Sequence, residues 1–343
     1  MTRVSEIGEF ALIRLLAKEL GVEYPPAPGV RRQANMLVGL GDDAVVTPRR
    51  EGALVWTTDT IVAGVHFLPE KTAWQDTGWK ALAVNLSDLA AMGASPYLAL
   101  VTLMLPAEAA VEDAIALYKG LAEAARAFDV TVGGGDIVRA PVFGVTVALA
   151  GWADQPRLGA PRAMTRDAAR PGDVVAVSGN VGDSAGGLRL LQSGDAFRTK
   201  ASRALRAAHE RPQPRVALGR EAVRAGVRCA IDVSDGLVQD LGHIAQASGV
   251  AIRIDANRVP LSEALHAAFP AEALGLALSG GEDYELVLIA PRPVIDHLIA
   301  TSKTPLFEIG EVVAADGPRV AVVDETGRDI PLRAGGWDHF ARR

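Results

Sequence analysis

The chain has 343 residues, 49% of them hydrophobic and 22% charged, with a formal net charge of -6. Such a length accommodates two domains, and such a composition belongs to a globular protein with a sizeable core. The acidic balance argues against a general nucleic-acid or polyanion binder, and the single cysteine, Cys229, excludes an internal disulfide framework and points to a reducing compartment.

The opening Met1-Thr-Arg-Val-Ser-Glu lacks a secretory apolar region. The longest apolar run, Leu98 to Leu105, is broken by Thr102 and is too short to span a bilayer. The expectation is a cytoplasmic protein without membrane or nucleic-acid partners.

Ser5 and the spacing of Ile7, Phe10, Ala11, Leu15 and Leu16 predict one helix over residues 5–20, capped at Ser5 and ended by Gly21. Pro25-Pro26-Ala27-Pro28-Gly29 then requires an exposed, extended loop. Gly39-Leu-Gly-Asp42-Asp43-Ala44 fits the string G-x-G-x-x-G/A, yet a pyrophosphate there would face two carboxylates, and Val45-Val46-Thr47-Pro48 does not continue as a helix. A surface turn is the simpler account of this stretch, and a pair of metal ligands on a pliable backbone is the functional one.

The strand beginning at Ala53 alternates early and then ends on Thr57-Thr58-Asp59-Thr60, hydroxyls and a carboxylate that suit Mg²⁺, although a hydrogen-bonded strand end explains them too. His66 follows with no second His or Cys nearby to support zinc. A helix over about 74–92, ended by Gly93, carries Asn85, Asp88 and Met92 on one face of an otherwise apolar run. A carboxylate in that setting is costly to bury unless a cation or a set of donors meets it.

A strand over 97–105 and a helix over about 108–128 lead to Val130-Thr-Val-Gly133-Gly134-Gly135-Asp136. Three glycines after a β-branched strand permit a tight hairpin or a backbone that turns its N–H groups towards an anion. A strand over 141–152 ends at the polar stretch Trp152 to Pro161, the candidate domain boundary.

The second half alternates strand and helix. A strand over 173–178 opens through Gly179-Asn-Val-Gly182-Asp183 into a helix, an anion-binding geometry without the Lys-Ser/Thr of a P-loop. Helices over about 200–208 and 214–226 precede Ile231-Asp232-Val-Ser234-Asp235-Gly236 and a helix through Ala247. Cys229, just before this strand's apolar residues, reads as a buried thiol. Ser279 to Leu286 feeds a strand ending at Ala290, and the aromatic, acidic Gly335 to Phe340 predicts a tail that docks onto a surface instead of fraying.

Asp42, Asp43, Asp59, Asp88, Asp136, Asp232 and Asp235 all lie near glycines, strand ends or the polar helix face. If they converge, mutual repulsion raises their pKa values, and divalent cations remove that cost. Oxygen ligands without His or Cys point to Mg²⁺, and Mg²⁺ with glycine-rich turns describes phosphoryl transfer from a nucleotide.

An ordered set of segments supports this chemistry: Gly8-Glu-Phe10, Gly41-Asp-Asp-Ala44, Thr57-Thr-Asp-Thr60, Gly64-Val-His-Phe67 and Ala81 to Ala94. It continues with Gly134-Gly-Asp136, Arg162 to Arg166, Pro171-Gly-Asp173, Gly182-Asp-Ser184, Ile231 to Gly236, Ser279 to Leu286 and Trp337-Asp-His-Phe340. In these segments, over almost its whole length, the chain resembles the thiamine-monophosphate kinase family of the aminoimidazole-ribonucleotide-synthetase-like superfamily.

The resemblance implies a two-domain α/β (α+β) fold. Residues 1–153 would bind Mg-ATP and dimerise through a β-barrel, and residues 154–343 would form a C-terminal α/β domain closing the active-site cleft. It implies a cytoplasmic homodimer that transfers the γ-phosphate of ATP directly to thiamine monophosphate. Asp43, Thr57, Thr58, Asp59, Asp88, Asp136, Asp232 and Asp235 would hold several Mg²⁺ ions. Gly135, Asp136, Arg166 and Ser234 would meet ATP, and His66, Glu282 and Trp337 would contact thiamine phosphate. No catalytic base is expected, because the acceptor oxygen of a phosphate is ionised near neutral pH. Ile137 stands where the family usually has Thr. The alternatives are another Mg-ATP enzyme of the superfamily and a non-catalytic nucleotide-binding regulator.

Overall fold

A computed structural model describes residues 2–24, 36–40, 44–48, 52–153, 163–314, 317 and 319–331. The chain divides into two compact units, Met1–Leu86 with Ser95–Arg157 and Ser87–Ala94 with Leu158–Arg343. Each has its own sheet, a mixed α/β architecture of the kind expected. The proline loop at 25–29, Gly41–Asp43, most of the stretch between the domains and the aromatic tail lie outside the described residues.

The first unit starts with α1 (Val4–Ile7) and α2 (Glu9–Glu19), where a single helix was expected. Gly8 separates them at φ 76° and ψ 170°, a backbone shape that an L side chain rarely adopts. Ser5 therefore lies inside α1 instead of capping a helix, and the apolar face is set afresh from Glu9. Leu12, Leu16 and Ala17 are buried, while Phe10 and Leu15, assigned to the inner face by an unbroken period, are exposed.

The unit continues with β1 (Ala53–Val62), α3 (Trp74–Ala91), β2 (Ser95–Leu105), α4 (Val111–Ala127), β3 (Thr131–Arg139) and β4 (Gly144–Ala153). Its sheet runs β1-β4-β2-β3, antiparallel except for the β2–β3 pair. Within one chain it is open, with β1 and β3 at the edges. Strand alternation buries Val101, Leu103, Val145, Val147 and Leu149 on one face. The other face carries Leu54, Trp56, Leu100, Thr102 and Trp152 and is only partly covered.

The three glycines form neither a hairpin nor an anion-facing turn. β3 continues through them, and its register on β2 shifts so that Val132 and Gly134 pair with neighbouring residues, leaving Gly133 in a bulge. A side chain at Gly135 would collide with the carbonyl of Val101, so close strand approach, not a turn, requires that glycine.

The second unit contains β5 (Val174–Ser178), α5 (Asp183–Ser193), α6 (Lys200–Glu210), α7 (Val216–Ala225), β6 (Cys229–Asp232), α8 (Leu237–Ser248) and β7 (Ala251–Asp255). After a 3₁₀ turn come α9 (Glu263–Ala268), α10 (Ala273–Ser279), β8 (Leu286–Ala290), α11 (Arg292–Thr301), β9 (Leu306–Val313) and β10 (Arg319–Val323). The sheet order is β10-β7-β9-β5-β8-β6, and only β10–β7 is parallel. Every residue of β5 and β8 is buried, and Val175, Val177, Ile231, Leu241, Ile244, Val287 and Ile289 belong to one core cluster. Each large aliphatic side chain there contributes about 1.5–3 kcal/mol of burial free energy. No helix among the described residues is long and apolar enough to cross a membrane.

Candidate functional site

In the N-terminal unit, alternation along β1 places Thr57 and Asp59 on one face and Thr58, with Trp56 and Thr60, on the other. The Asp59 N–H donates to Asn85 Oδ1 at 3.0 Å, and Asn85 Nδ2 donates to the Ala81 carbonyl at 3.0 Å. Asn85 is fully buried with both ends of its amide satisfied, so it acts as a strut between α3 and β1.

Asp136 is exposed on β3 and accepts the N–H of Ile137 at 2.9 Å. Its register partner is Thr102, Thr102 pairs with Thr146, and Thr146 pairs with Thr60, so one polar row crosses the sheet on the partly covered face. The hydroxyls of Thr60 and Thr146 are 2.7 Å apart. Thr58 shares this face, whereas Thr57 and Asp59 lie on the reverse. A cavity of about 1070 Å³ opens over it, lined by Leu54, Trp56, Leu98, Thr102, Gly135 and Trp152 among others. His66 is half-buried after β1, and its Nδ1 accepts the Val62 N–H at 3.1 Å, which assigns the proton of the neutral ring to Nε2. Asp43 lies outside the described residues.

The C-terminal unit includes the end of α3 from Ser87. Ser87 Oγ donates to Asp232 Oδ2 at 2.7 Å, with both residues buried. Burial and the neighbouring charge of Asp88 push the Asp232 carboxyl far above the usual carboxylate range, and the serine only partly offsets them. A helix face and a strand end thus bring together two of the expected ligands.

The segment after Asp232 is strapped to the segment before β8. Val233 donates to the Glu285 carbonyl at 2.8 Å, Tyr284 to Val233 at 2.9 Å, and Glu282 to Ser234 at 2.8 Å. Ser234 and Glu282 are therefore backbone neighbours. Glu282 and Tyr284 hold φ of 66° and 52°, a strain of about 1–3 kcal/mol each of the kind found at ligand sites. Behind Glu282 sits buried His209, whose Nδ1 lies 3.4 Å from Glu282 Oε2 and 3.1 Å from Ser184 Oγ.

Two carboxylates that the sequence reading passed over fill the helix starts. Asp283 accepts the N–H groups of Gly182 and Ser184 at 2.6 and 3.1 Å, and burial pushes its carboxyl well up. The glycine turn before α5, expected to receive an external anion, is thus filled by one of the chain's own. Asp240 accepts the N–H groups of Ser234, Asp235 and Gly236. Burial outweighs those donors and pushes its carboxyl up to about 7. Asp235, Asp240 and the exposed His243 bring ligand atoms within 4.8 Å of one another. Buried Glu285 receives both Arg215 Nε and Nη2 at 2.6 and 2.5 Å, together with Ser178 Oγ at 2.5 Å.

Arg166 is exposed, beside the Thr165–Cys229 bridge at the end of β6 remote from Asp232. Its carbonyl accepts Ser248 Oγ at 2.8 Å. Cys229 is buried as expected, its thiol pushed up to about 12, which removes it as a nucleophile. Trp337 lies outside the described residues. Of the missed residues, Asp240 carried a sequence signal, an acid one turn into the helix that follows Ser-Asp-Gly. Ser87 and Asp283 lie within segments that carry the resemblance, but no local spacing marks their roles or that of His209, since their partners are 145, 101 and 25 residues away.

Residues 41–153 match the family described as AIR synthase related protein, N-terminal domain, and residues 170–323 match AIR synthase related protein, C-terminal domain. Thiamine-monophosphate kinase of Escherichia coli strain K12 is 39% identical over 347 residues, covering 97% of this chain and 98% of the relative. The crystal structure of thiamine-monophosphate kinase from Stenotrophomonas maltophilia K279a superposes with a TM-score of 0.78 at 40% identity, covering 92% of this chain and 96% of the other. The structure of AaThiL complexed with AMPPCP and TMP superposes with a TM-score of 0.76 at 33% identity, covering 99% of each.

Proposed function

The chain belongs to the thiamine-monophosphate kinase family of the AIR synthase related proteins, and on that premise we propose that it transfers the γ-phosphoryl group of ATP to thiamine monophosphate, giving thiamine diphosphate and ADP. The observation that carries this reading is the likeness, over 99% of both chains, to a relative complexed with AMPPCP and TMP.

The donor chemistry fits Mg²⁺. Asp232 is buried beside Asp88, and two carboxylates so placed favour a divalent cation that relieves their repulsion. In this reading Asp43, Thr57, Thr58, Asp59, Asp88, Asp136, Asp232 and Asp235 hold Mg²⁺, and hard oxygen donors suit that ion. The opposite faces of β1 separate Thr57 and Asp59 from Thr58, which favours more than one ion. Bound Mg²⁺ neutralises phosphate charge and orients the transferred group.

Gly135, Asp136, Arg166 and Ser234 then meet ATP, while His66, Glu282 and Trp337 contact thiamine monophosphate. Glu282, fixed by its strained backbone and by His209, offers a charge or acceptor to the pyrimidine, and Trp337 a face to the cationic thiazolium. The acceptor oxygen is already ionised, so the residues position and neutralise, and transfer is direct and in-line without a phosphoenzyme.

Residues 1–153 form the Mg-ATP-binding and dimerising part, and residues 154–343 the C-terminal α/β part. A second copy on the face carrying Leu54 and Trp56 completes a barrel from two open sheets, covering exposed apolar side chains. The enzyme is cytoplasmic in this reading.

The test incubates the protein with Mg-ATP and thiamine monophosphate and follows both products. Equimolar thiamine diphosphate and ADP, absent without Mg²⁺ and absent with unphosphorylated thiamine, is the expected result. Nucleotide binding without thiamine diphosphate would overturn the assigned acceptor.

A further inference from the structure

The turn between β6 and α8 directs three successive N–H groups, of Ser234, Asp235 and Gly236, at one atom, Asp240 Oδ2, at 3.0, 3.1 and 3.2 Å. Convergent N–H groups at the start of a helix are the arrangement that many nucleotide-binding proteins present to phosphate oxygens. Here the anion is built in. Asp240 lies one turn inside the same 12-residue helix, 2% exposed, and holds the turn from within. The backbone donors are thus already engaged, and the side chains of Ser234 and Asp235 are what this turn has left to offer a nucleotide or its metal.

The opposite side of the turn is equally constrained. Glu282 donates its N–H to the Ser234 carbonyl at 2.8 Å, and a side chain at Gly281 would collide with that same carbonyl. A side chain at Gly236 would press on the carbonyl of Ser279 at 2.9 Å. The turn is pinned between the carboxylate of Asp240 and the backbone of residues 279–282, and Asp240 supplies the only one of these restraints that a single side-chain change removes without altering the packed backbone.

We propose that Asp240 is a positioning residue, an internal anion that presets the 234–236 turn so that Ser234 and Asp235 receive Mg-ATP without reorganisation. The proposal rests on the assignment of Ser234 and Asp235 as nucleotide and metal contacts. Removing the carboxylate leaves three withdrawn N–H groups without their acceptor, and the turn relaxes to satisfy them. Binding Mg-ATP must then reorder it.

The experiment compares Asp240→Ala and Asp240→Asn with the unaltered full chain by amide hydrogen exchange and by kinetics with each substrate varied. In Asp240→Ala the amides of residues 234–236 exchange faster and the KM for Mg-ATP rises roughly tenfold or more, while the KM for thiamine monophosphate stays within about twofold. Asp240→Asn keeps a weaker, neutral acceptor oxygen and gives values of both readouts between those of the unaltered chain and Asp240→Ala. A purely structural role would lower the folded fraction, and with it kcat, leaving both KM values unchanged. That pattern, or faster exchange at 234–236 with the KM for Mg-ATP unmoved, would overturn the proposal. If Asp240→Ala does not fold, Asp240→Asn decides alone: its weaker neutral acceptor must raise exchange and the KM for Mg-ATP together. If the unaltered chain makes no thiamine diphosphate, the assigned reaction fails, while Mg-ATP affinity by calorimetry with amide exchange still tests Asp240.

Discussion

In the N-terminal unit, Asp59 and Asp136 lie exposed on strands, and the contacts around them run through backbone N–H groups and hydroxyls. In the C-terminal unit, Asp232 and Asp240 are buried and Asp283 turns inward onto backbone N–H groups, each pushed above the usual carboxylate range. Exposed carboxylates cost the fold little whether or not a cation arrives. Buried ones raise its energy whenever they ionise, so the C-terminal unit should respond more strongly to metal, pH and substitution.

The largest expected effect is at Asp232. Asp232→Asn should lower phosphoryl transfer on the order of a thousandfold by removing a ligand, yet raise the melting temperature without Mg²⁺ because a disfavoured buried charge is gone. Steady-state kinetics and metal-free thermal melts check the pair. A variant that loses both activity and stability would break the contrast between the units.

Next is Glu285, which burial holds above its ordinary range although the Arg215 guanidinium and the Ser178 hydroxyl offset part of that cost. Arg215→Ala strands a buried carboxylate and should destabilise by about 3–5 kcal/mol in urea unfolding.

The pH response follows from the raised groups. Asp240 is protonated below about 7 in the folded chain, but in the unfolded chain only below its ordinary 3.8. The folded state therefore holds the extra proton between those values. Its stabilising contribution is complete below the unfolded pKa and is lost as pH rises through about 7. Asp232 and Asp283 shift in the same direction. Metal-free urea unfolding should show lower stability at pH 8 than at pH 5 by a few kcal/mol, with Mg²⁺ restoring more at pH 8. Higher metal-free stability at pH 8 would mean that other groups dominate.

Smaller again is Asn85→Ala, which removes the acceptor of the Asp59 N–H and should cost about 1–3 kcal/mol in thermal or urea unfolding. The smallest is Ile137→Thr at a half-buried position of β3, where restoring the family's usual hydroxyl should change the KM for ATP by no more than about threefold.

Much of the architecture was legible because it follows from local periodicity. The helix over Trp74–Ala91, the strands at Val174–Ser178 and Leu286–Ala290 and the buried thiol of Cys229 all rest on spacing or composition that neighbours cannot easily overrule. The motif set likewise led to the kinase family, because those short segments keep their order along the chain. Where the reading strayed, a glycine was at issue. Gly8 breaks a helix that the period alone would continue, and Gly133–Gly135 stay extended where three glycines suggested a turn. Glycine permits several backbone shapes, and the surrounding strands select among them.

The sequence by itself marked many of the longer helices and strands up to Ala290 and the acidic residue types that suit a phosphoryl-transfer enzyme. Only the tertiary structure decided which acids do which work. It turned Asp240 and Asp283 inward to hold helix starts, set Ser87 against Asp232 and His209 behind Glu282, and placed Thr58 on the opposite face of β1 from Asp59. Local pattern records a residue's periodicity. Whether a carboxylate meets water, a cation or a backbone N–H depends on what the rest of the chain packs against it.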